Sequence, residues 1–280
     1  QIIYNFEHLR KHLIEKGLNF NSTSDTEVIL NGYIEYKAEI VNKLNGMFSF
    51  CIYDKEKREI FIARDGSGIK PLYFYKTNKA FSFSSELKAL TDYPLSTSVD
   101  SQALFLLLGY VPEPSTIYEE ISMFPAGYIG FYRDGQLSMT QFADYIFEPK
   151  ISKPYDQIVL EVKDIFNRAI ERHLVSDASI GCFLSGGIDS SIITAVAAQY
   201  RQDLSTLSIT FEEPEFSEQH FQDLIVKKFG TKHTNYIVDE KMFLHTIDSF
   251  INSMEQPTID GLNTFFVSKA AKEIGLKATL

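Results

Sequence analysis

Ser185, Gly186, Gly187, Asp189, Ser190 and Ser191 stand together in the string GCFLSGGIDSS at 181–191. These residue types suit an anion site. Glycines without a Cβ let the main chain approach a phosphate closely. Serine hydroxyls donate to its oxygens. A carboxylate repels a bare phosphate, so Asp189 makes most chemical sense beside a Mg2+ that the phosphate shares. No Gly-Lys-Ser or Gly-Lys-Thr follows, which separates the string from the Walker phosphate loop. The plainer reading is a helix capped by Ser185 or Asp189, with the glycines making a tight turn.

The flanking pattern says where such a loop would lie. ASIGCFL (178–184) reads as a strand and SSIITAVAAQY (190–200) as a helix. STLSITF then precedes the helical FSEQHFQDLIVKKFG, and TNYIVD precedes a long helical stretch, TFFVSKAAKEIG and a last apolar piece, LKATL. Strands alternating with helices predict a doubly wound parallel sheet covered on both faces. The loop then sits at a strand's carboxyl end, where open α/β sheets bind ligands. The helix that follows turns unpaired N–H groups and a positive dipole end toward an anion.

The first half has another rhythm. Phe6, Leu9, Leu13 and Ile14 recur at helical spacing between Asn5, a candidate N-cap, and Gly17, a candidate C-terminal glycine. Ser24 and Glu27 have capping-box spacing and predict a second helix. GMFSFCIYD (46–54), EIFIARD (59–65), LYFYK (72–76) and AFSFSS (80–85) are short, aromatic and separated by polar turns. They predict antiparallel strands. Both parities of MFSFCIY are apolar, so both faces of that sheet should be covered. EPKISKPYDQ (148–157) is polar and holds two prolines. The expected division is a domain at 1–148, a linker at 149–156 and a second domain at 157–280.

The bulk properties narrow the function. The chain has 280 residues and a formal charge of −10. It has no basic run, which argues against nucleic acid and against an anionic membrane surface. No apolar run has the length of a spanning helix. Cys51 and Cys182 lie inside apolar runs without metal-ligand spacing. A reducing cytoplasm is the simplest home.

LSGGIDSS resembles the pyrophosphate-binding loop of the N-type ATP pyrophosphatases. YNFEHLRKHLIEKG, SDTEVIL, LNGMFSFCIYD, ARDGSGIKPLY and FSSELKAL resemble a class II glutamine amidotransferase domain. GYVPEPSTIYEEI and PAG resemble the segment leading to its partner domain, and EQPTIDGLNTFFVSKAAKEIG a later synthetase segment. In this order they resemble the glutamine-hydrolysing asparagine synthetases. The resemblance implies an α-β-β-α sandwich of the N-terminal nucleophile hydrolase type, then an ATP pyrophosphatase-like parallel sheet, each incomplete here. It implies ATP and Mg2+, the small substrates glutamine and aspartate, and amidation through an acyl-adenylate; a homodimer stays open. Ser185, Gly186, Gly187, Asp189, Ser190 and Ser191 would contact pyrophosphate or its metal. Leu184 and Ile209 would flank adenine or ribose, with strand packing as the alternative. Asp260 would face the substrate, with an Asp-Gly turn as the alternative. Asp25 would hold the glutamine α-ammonium, or else only complement a helix dipole. Arg64, Asp65 and Lys70 would form a polar surface at the domain junction, or be solvated turn charges.

The resemblance has gaps. Its nucleophile is an N-terminal cysteine, and this chain starts with Gln1. The expected Asn-Gly oxyanion pair and the carboxylate-binding arginine are also not seen ahead of IYNF. LKATL ends where a second, metal-binding loop is expected. The expectation is therefore a piece of a longer protein, inactive alone. A relative that amidates another carboxylate or closes a β-lactam ring, and a non-catalytic glutamine- or nucleotide-binding protein, are the competing readings.

Overall fold

The computed structural model describes residues 2–147, 152–175, 178–211 and 218–280. The chain divides into two units, 1–148 with 255–258, and 149–254 with 259–280. Residues 149–151 of the expected linker and the first two residues of FSEQHFQDLIVKKFG lie outside the described residues.

In the first unit, strand β1 (Ile2–Ile3) pairs with β2 (Gly46–Met47), and helices α1 (Phe6–Glu15) and α2 (Asp25–Tyr36) lie between them in sequence. Strands β3 (Ser49–Asp54) and β4 (Glu59–Arg64) join β8 (Tyr128–Arg133) and β9 (Gln136–Gln141) in one antiparallel sheet, ordered β3-β4-β8-β9. Strands β5 (Tyr73–Lys76), β6 (Phe81–Ser84) and β7 (Ile121–Met123) form another, ordered β6-β5-β7. Alternation along β3 and β4 builds two cores. Phe50, Ile52, Phe61 and Ala63 pack with Ile29 and Tyr33 of α2. Cys51, Ile60 and Ile62 pack from the opposite face with Phe74, Phe81 and Phe124 of the second sheet's layer. Both faces are covered, as the two-parity pattern predicts. Tyr73, Tyr75 and Ile121 carry the second sheet's other face onto Leu87 and Leu90 of a short 3-10 turn. The sequence therefore yields stacked layers of helix, sheet, sheet and helical turn. Helix α3 (Val99–Leu108) follows, N-capped by Ser98.

Three local expectations are corrected. Asn5 precedes α1 without capping it: its Oδ1 accepts from Asn45 N at 2.9 Å and its Nδ2 donates to Lys43 O at 2.8 Å. Ser24 caps α2, but Glu27 does not reach back to it. Its carboxylate accepts instead from Asn21 N, Ser22 N and Ser22 Oγ, which holds its pKa below the usual value. Arg64 and Asp65 are buried, each 2 % exposed, not solvated turn charges. All five guanidinium donors are used: Nε on Lys70 O, Nη1 on Glu113 Oε2 and Phe124 O, Nη2 on Gly68 O and Glu113 Oε1. Asp65 accepts from the N–H groups of Phe48, Ser67, Ile69 and Lys70. This pair locks the turn 66–70 because a buried charge is tolerable only when fully partnered.

In the second unit, helix α4 (Tyr155–His173) leads to strand β10 (Ile180–Phe183), helix α5 (Ile188–Tyr200), strand β11 (Ser205–Phe211), helix α6 (Gln219–Phe229), strand β12 (Lys232–Val238), helices α7 (Glu240–Ser253) and α8 (Gly261–Glu273), and strand β13 (Ala278–Thr279). The sheet is parallel and ordered β12-β11-β10-β13. Ile170 and Leu174 and the α5 residues Val196 and Ala197 cover Ile180 and Cys182 on one face. Ala270 and Ala271 of α8 cover Leu207 on the other. The chain thus adds β11 and β12 on one side of β10 and β13 on the other, which makes β10 the point where strand order reverses.

Candidate functional site

Residues 184–191 leave β10 at its carboxyl end and enter α5 (Ile188–Tyr200). Leu184 N–H donates to Leu207 O at 2.9 Å, and the Ser208 hydroxyl donates to Leu184 O. The first residue past the strand is therefore held to β11 by both its N–H and its carbonyl. The chain then turns at Gly186, with φ +92°. A Cβ there would stand 3.1 Å from Glu218 O and 3.2 Å from Phe221 Cβ. The turn is thus closed down onto the start of α6, and a side chain there would be both strained and crowded.

The two serines of the turn hold its shape. Gly187 N–H donates to Ser185 Oγ at 3.2 Å, and Ser185 N–H to Ser190 Oγ at 3.2 Å. Ser190 Oγ donates to Gly187 O at 3.2 Å and lies 2.9 Å from Ser185 Oγ. With Ser190 donating to Gly187, the Ser185 proton is the one between the hydroxyls. Gly187 is the N-cap of α5 and supplies no side-chain cap. The first-turn N–H groups are left facing outward, with the helix dipole behind them. A helix start of this kind can receive an anion on main-chain donors.

Beside it is a cavity of about 330 Å3, lined by Leu184, Ser185, Leu207 and Ile209 from the strand ends, Glu218 and Gln222 from the α6 side, and Asn263, Thr264 and Val267 from α8. Of the residues singled out in the sequence, Leu184, Ser185 and Ile209 line it. Gly186, Gly187, Ser190 and Ser191 continue from it along the loop. Asp189 is exposed in the first turn of α5 and borders a different groove, between α4 and α5, near Lys163 and Phe166. Asp260 is the exposed N-cap position of α8 and does not line the cavity; Asn263 Nδ2 reaches its Oδ1 at 3.5 Å. Glu218, Gln222, Asn263 and Thr264 were not anticipated. The signal for Gln222 was there: it shares a helical stripe with Ile225, Val226 and Phe229, where an apolar residue is expected.

The site's donor set is compatible with a nucleotide: a cavity of mixed apolar and polar walls beside the N–H groups of a helix start. Magnesium asks for few protein ligands when phosphates supply the rest. Asp189 offers one exposed carboxylate. Among the described residues, no three His, Cys, Asp or Glu side chains gather to hold an ion by themselves. The donor set suits an ion held chiefly by phosphate and water.

In the first unit, Asp25 opens α2 and is half-buried. Cys51 lies across the β3-β4-β8-β9 sheet from that helix, in the core between the sheets. Burial pushes its thiol up to about 12, and that of Cys182 up to about 11. Neither is a thiolate near neutral pH, so neither serves as a nucleophile.

The glutamine amidotransferase domain family matches residues 2–143, and the asparagine synthase family matches residues 161–280. Asparagine synthetase (glutamine-hydrolyzing) 1 of Bacillus subtilis is 34% identical over 276 residues, covering 97% of this chain and 44% of the relative. Asparagine synthetase (glutamine-hydrolyzing) 3 of the same organism is 35% identical over 275 residues, covering 91% and 44%. Asparagine synthetase (glutamine-hydrolyzing) 2 of Arabidopsis thaliana is 28% identical over 294 residues, covering 99% and 46%. The chain thus spans under half the length of these relatives. No helix among the described residues is long and apolar enough to cross a membrane.

Proposed function

We propose, for a chain that belongs to the family of glutamine-hydrolysing asparagine synthetases, that its second unit binds ATP and activates the side-chain carboxylate of aspartate, and that its first unit serves the glutaminase half that supplies ammonia. A carboxylate oxygen attacks the α-phosphorus, pyrophosphate leaves, and the acyl-adenylate carbon then takes ammonia as AMP departs. The products are asparagine, AMP, pyrophosphate and, from glutamine, glutamate.

One observation carries this reading: a start of α5 without a side-chain cap, behind a turn whose conformation favours glycine. Charge grows on the β-phosphate as pyrophosphate leaves. Fixed N–H donors aimed at that point stabilise it without reorganising. Ser185 and Ser190 keep the turn in place, Gly186 and Gly187 admit the phosphates, and Ser191 adds a hydroxyl. Leu184 and Ile209 sandwich the base or ribose. Mg2+, when bound, neutralises leaving-group charge, and Asp189 is the residue proposed to hold it. Asp260 is proposed on the substrate side, Asp25 at the glutamine α-ammonium, and a homodimer in a cytoplasmic setting as the working state.

The test is exchange of labelled pyrophosphate into ATP by the full-length protein. Exchange that requires aspartate and Mg2+ is expected. Equal exchange with other carboxylic acids would move the assignment to a relative with another acceptor, and no exchange would overturn it.

A further inference from the structure

We infer that Gln222 is a specificity-determining residue of the cavity, reading a hydrogen-bond donor on the nucleoside; the inference rests on the nucleotide reading above. Gln222 sits in α6 and is 1 % exposed, yet it forms part of the cavity wall. Its Nε2 donates to Ser185 O at 3.3 Å. A carbonyl oxygen can only accept, so this contact fixes which end of the carboxamide is which. The Oε1 is left buried with no partner among the described residues. Nearly every buried polar atom in a native protein has one. Because Gln222 lines the cavity, a ligand seated against it can complete the pairing with a small shift of the carboxamide.

The chemistry of the missing partner follows from what a nucleotide offers. Phosphate oxygens at neutral pH accept and do not donate, so Oε1 would repel them. The groups that can donate are the amino group of the base and the ribose hydroxyls. The wall around it mixes the apolar Leu184, Leu207, Ile209 and Val267 with the polar Ser185, Ser208, Glu218, Asn263 and Thr264. A donor brought against Gln222 loses water and regains a bond at Oε1. Sites of this kind reject analogues that lack the donor far better than apolar pockets reject an extra methylene.

The experiment measures equilibrium binding to the full-length protein, without amino-acid substrate. The probes are ATP, inosine triphosphate, 2′-deoxyATP and 3′-deoxyATP. The wild type should bind one of the three analogues at least roughly tenfold more weakly than ATP. The inosine arm reports the amino group and the deoxy arms the two hydroxyls. Gln222→Met keeps the length and loses the acceptor. It should weaken ATP by a similar factor and leave that analogue unchanged, so the ratio falls toward one. A role confined to propping Ser185 would weaken all probes equally and keep the ratio, which overturns the inference. So does a wild type that binds ATP and all three analogues alike. A wild type that binds no nucleotide overturns the underlying reading as well. Should thermal melting show Gln222→Met unfolded, the same ratio is read in Gln222→Asn, whose shortened carboxamide withdraws the acceptor.

Discussion

Gly186→Ala separates a turn that shapes the phosphate cradle from one that merely reverses the chain. Gly186 has φ +92°, a region that costs a residue with a Cβ about 1–2 kcal/mol. The new methyl would also stand 3.1 Å from Glu218 O and 3.2 Å from Glu218 Cβ and Phe221 Cβ. Glu218 O is not free to retreat, because it accepts from Phe221 N at 3.0 Å and Gln222 N at 3.3 Å in the first turn of α6. Overpacking of this kind adds about 1–3 kcal/mol. Gly230 supplies the control. It has φ +65°, and a methyl added there would meet nothing within 4 Å, so Gly230→Ala carries the backbone strain alone. Urea denaturation should place Gly186→Ala below Gly230→Ala by the contact cost, about 1–3 kcal/mol. Pyrophosphate exchange should fall more than about tenfold in Gly186→Ala, since about 1.4 kcal/mol of misplaced donor is a factor of ten, and stay near wild type in Gly230→Ala. Equal destabilisation of the two variants with equal exchange would refute the claim that this turn is built against α6 for binding.

Other expectations follow from single groups. Asp189→Ala should abolish Mg2+-dependent pyrophosphate exchange while glutaminase activity persists; undiminished exchange would leave Asp189 a helix-dipole residue. Asp25→Asn should raise the KM for glutamine roughly ten- to a hundredfold, the worth of a charge-assisted contact, with ammonia-dependent synthesis intact. Equal loss of both reactions would indicate a folding defect. His233 should make stability fall in acid. Burial holds its imidazole below the ordinary value, with Asp223 pulling weakly upward, and Nδ1 lies 3.1 Å from Thr206 Oγ1. The unfolded chain therefore binds this proton first, so stability is full above about pH 6.5 and declines as pH falls from there toward the lowered value. Denaturation midpoints across pH 5–8 should show a shallower slope in His233→Gln, and identical slopes would remove His233 as the cause.

What the sequence made legible was whatever repeats locally. The strands β10, β11 and β12 and their helices were visible because apolar runs of strand length alternate with helical stripes. The two-faced sheet of the first unit was visible in the double parity of MFSFCIY. Misreadings arose where a residue has a non-local partner. Asn5 looks like a cap, but its amide is taken by Lys43 and Asn45 across the β1–β2 pair. Arg64 looks like a turn charge, because Glu113 and the Phe124 carbonyl that partner it come much later in the chain. Pro154 looks like linker, although it immediately precedes α4, where a helix start tolerates proline. Helix α3 (VDSQALFLLL) is apolar nearly all round and so shows no stripe to read. Of the far wall of the cavity only Gln222 left a signal, a polar residue in an apolar stripe. Glu218, Asn263 and Thr264 reach the loop only through the crossovers that bring α6 and α8 to the end of the parallel sheet.

The loop also divides its labour in a way the motif alone does not reveal. Three serines in a glycine-rich string invite the idea that each hydroxyl grips phosphate. Two of the three instead close a ring of bonds inside the turn, through Gly187 N, Ser185 N and Gly187 O. Both hydroxyls already have partners inside the turn. The groups left over are main-chain N–H donors that no side-chain rotation can remove. A hydroxyl that must rotate to meet a phosphate loses rotamer freedom on binding, whereas an N–H at a helix start loses none. On the proposed reading the serines act on the anion through geometry: they would hold the N–H array where leaving-group charge develops, which is where preorganised dipoles lower a barrier most.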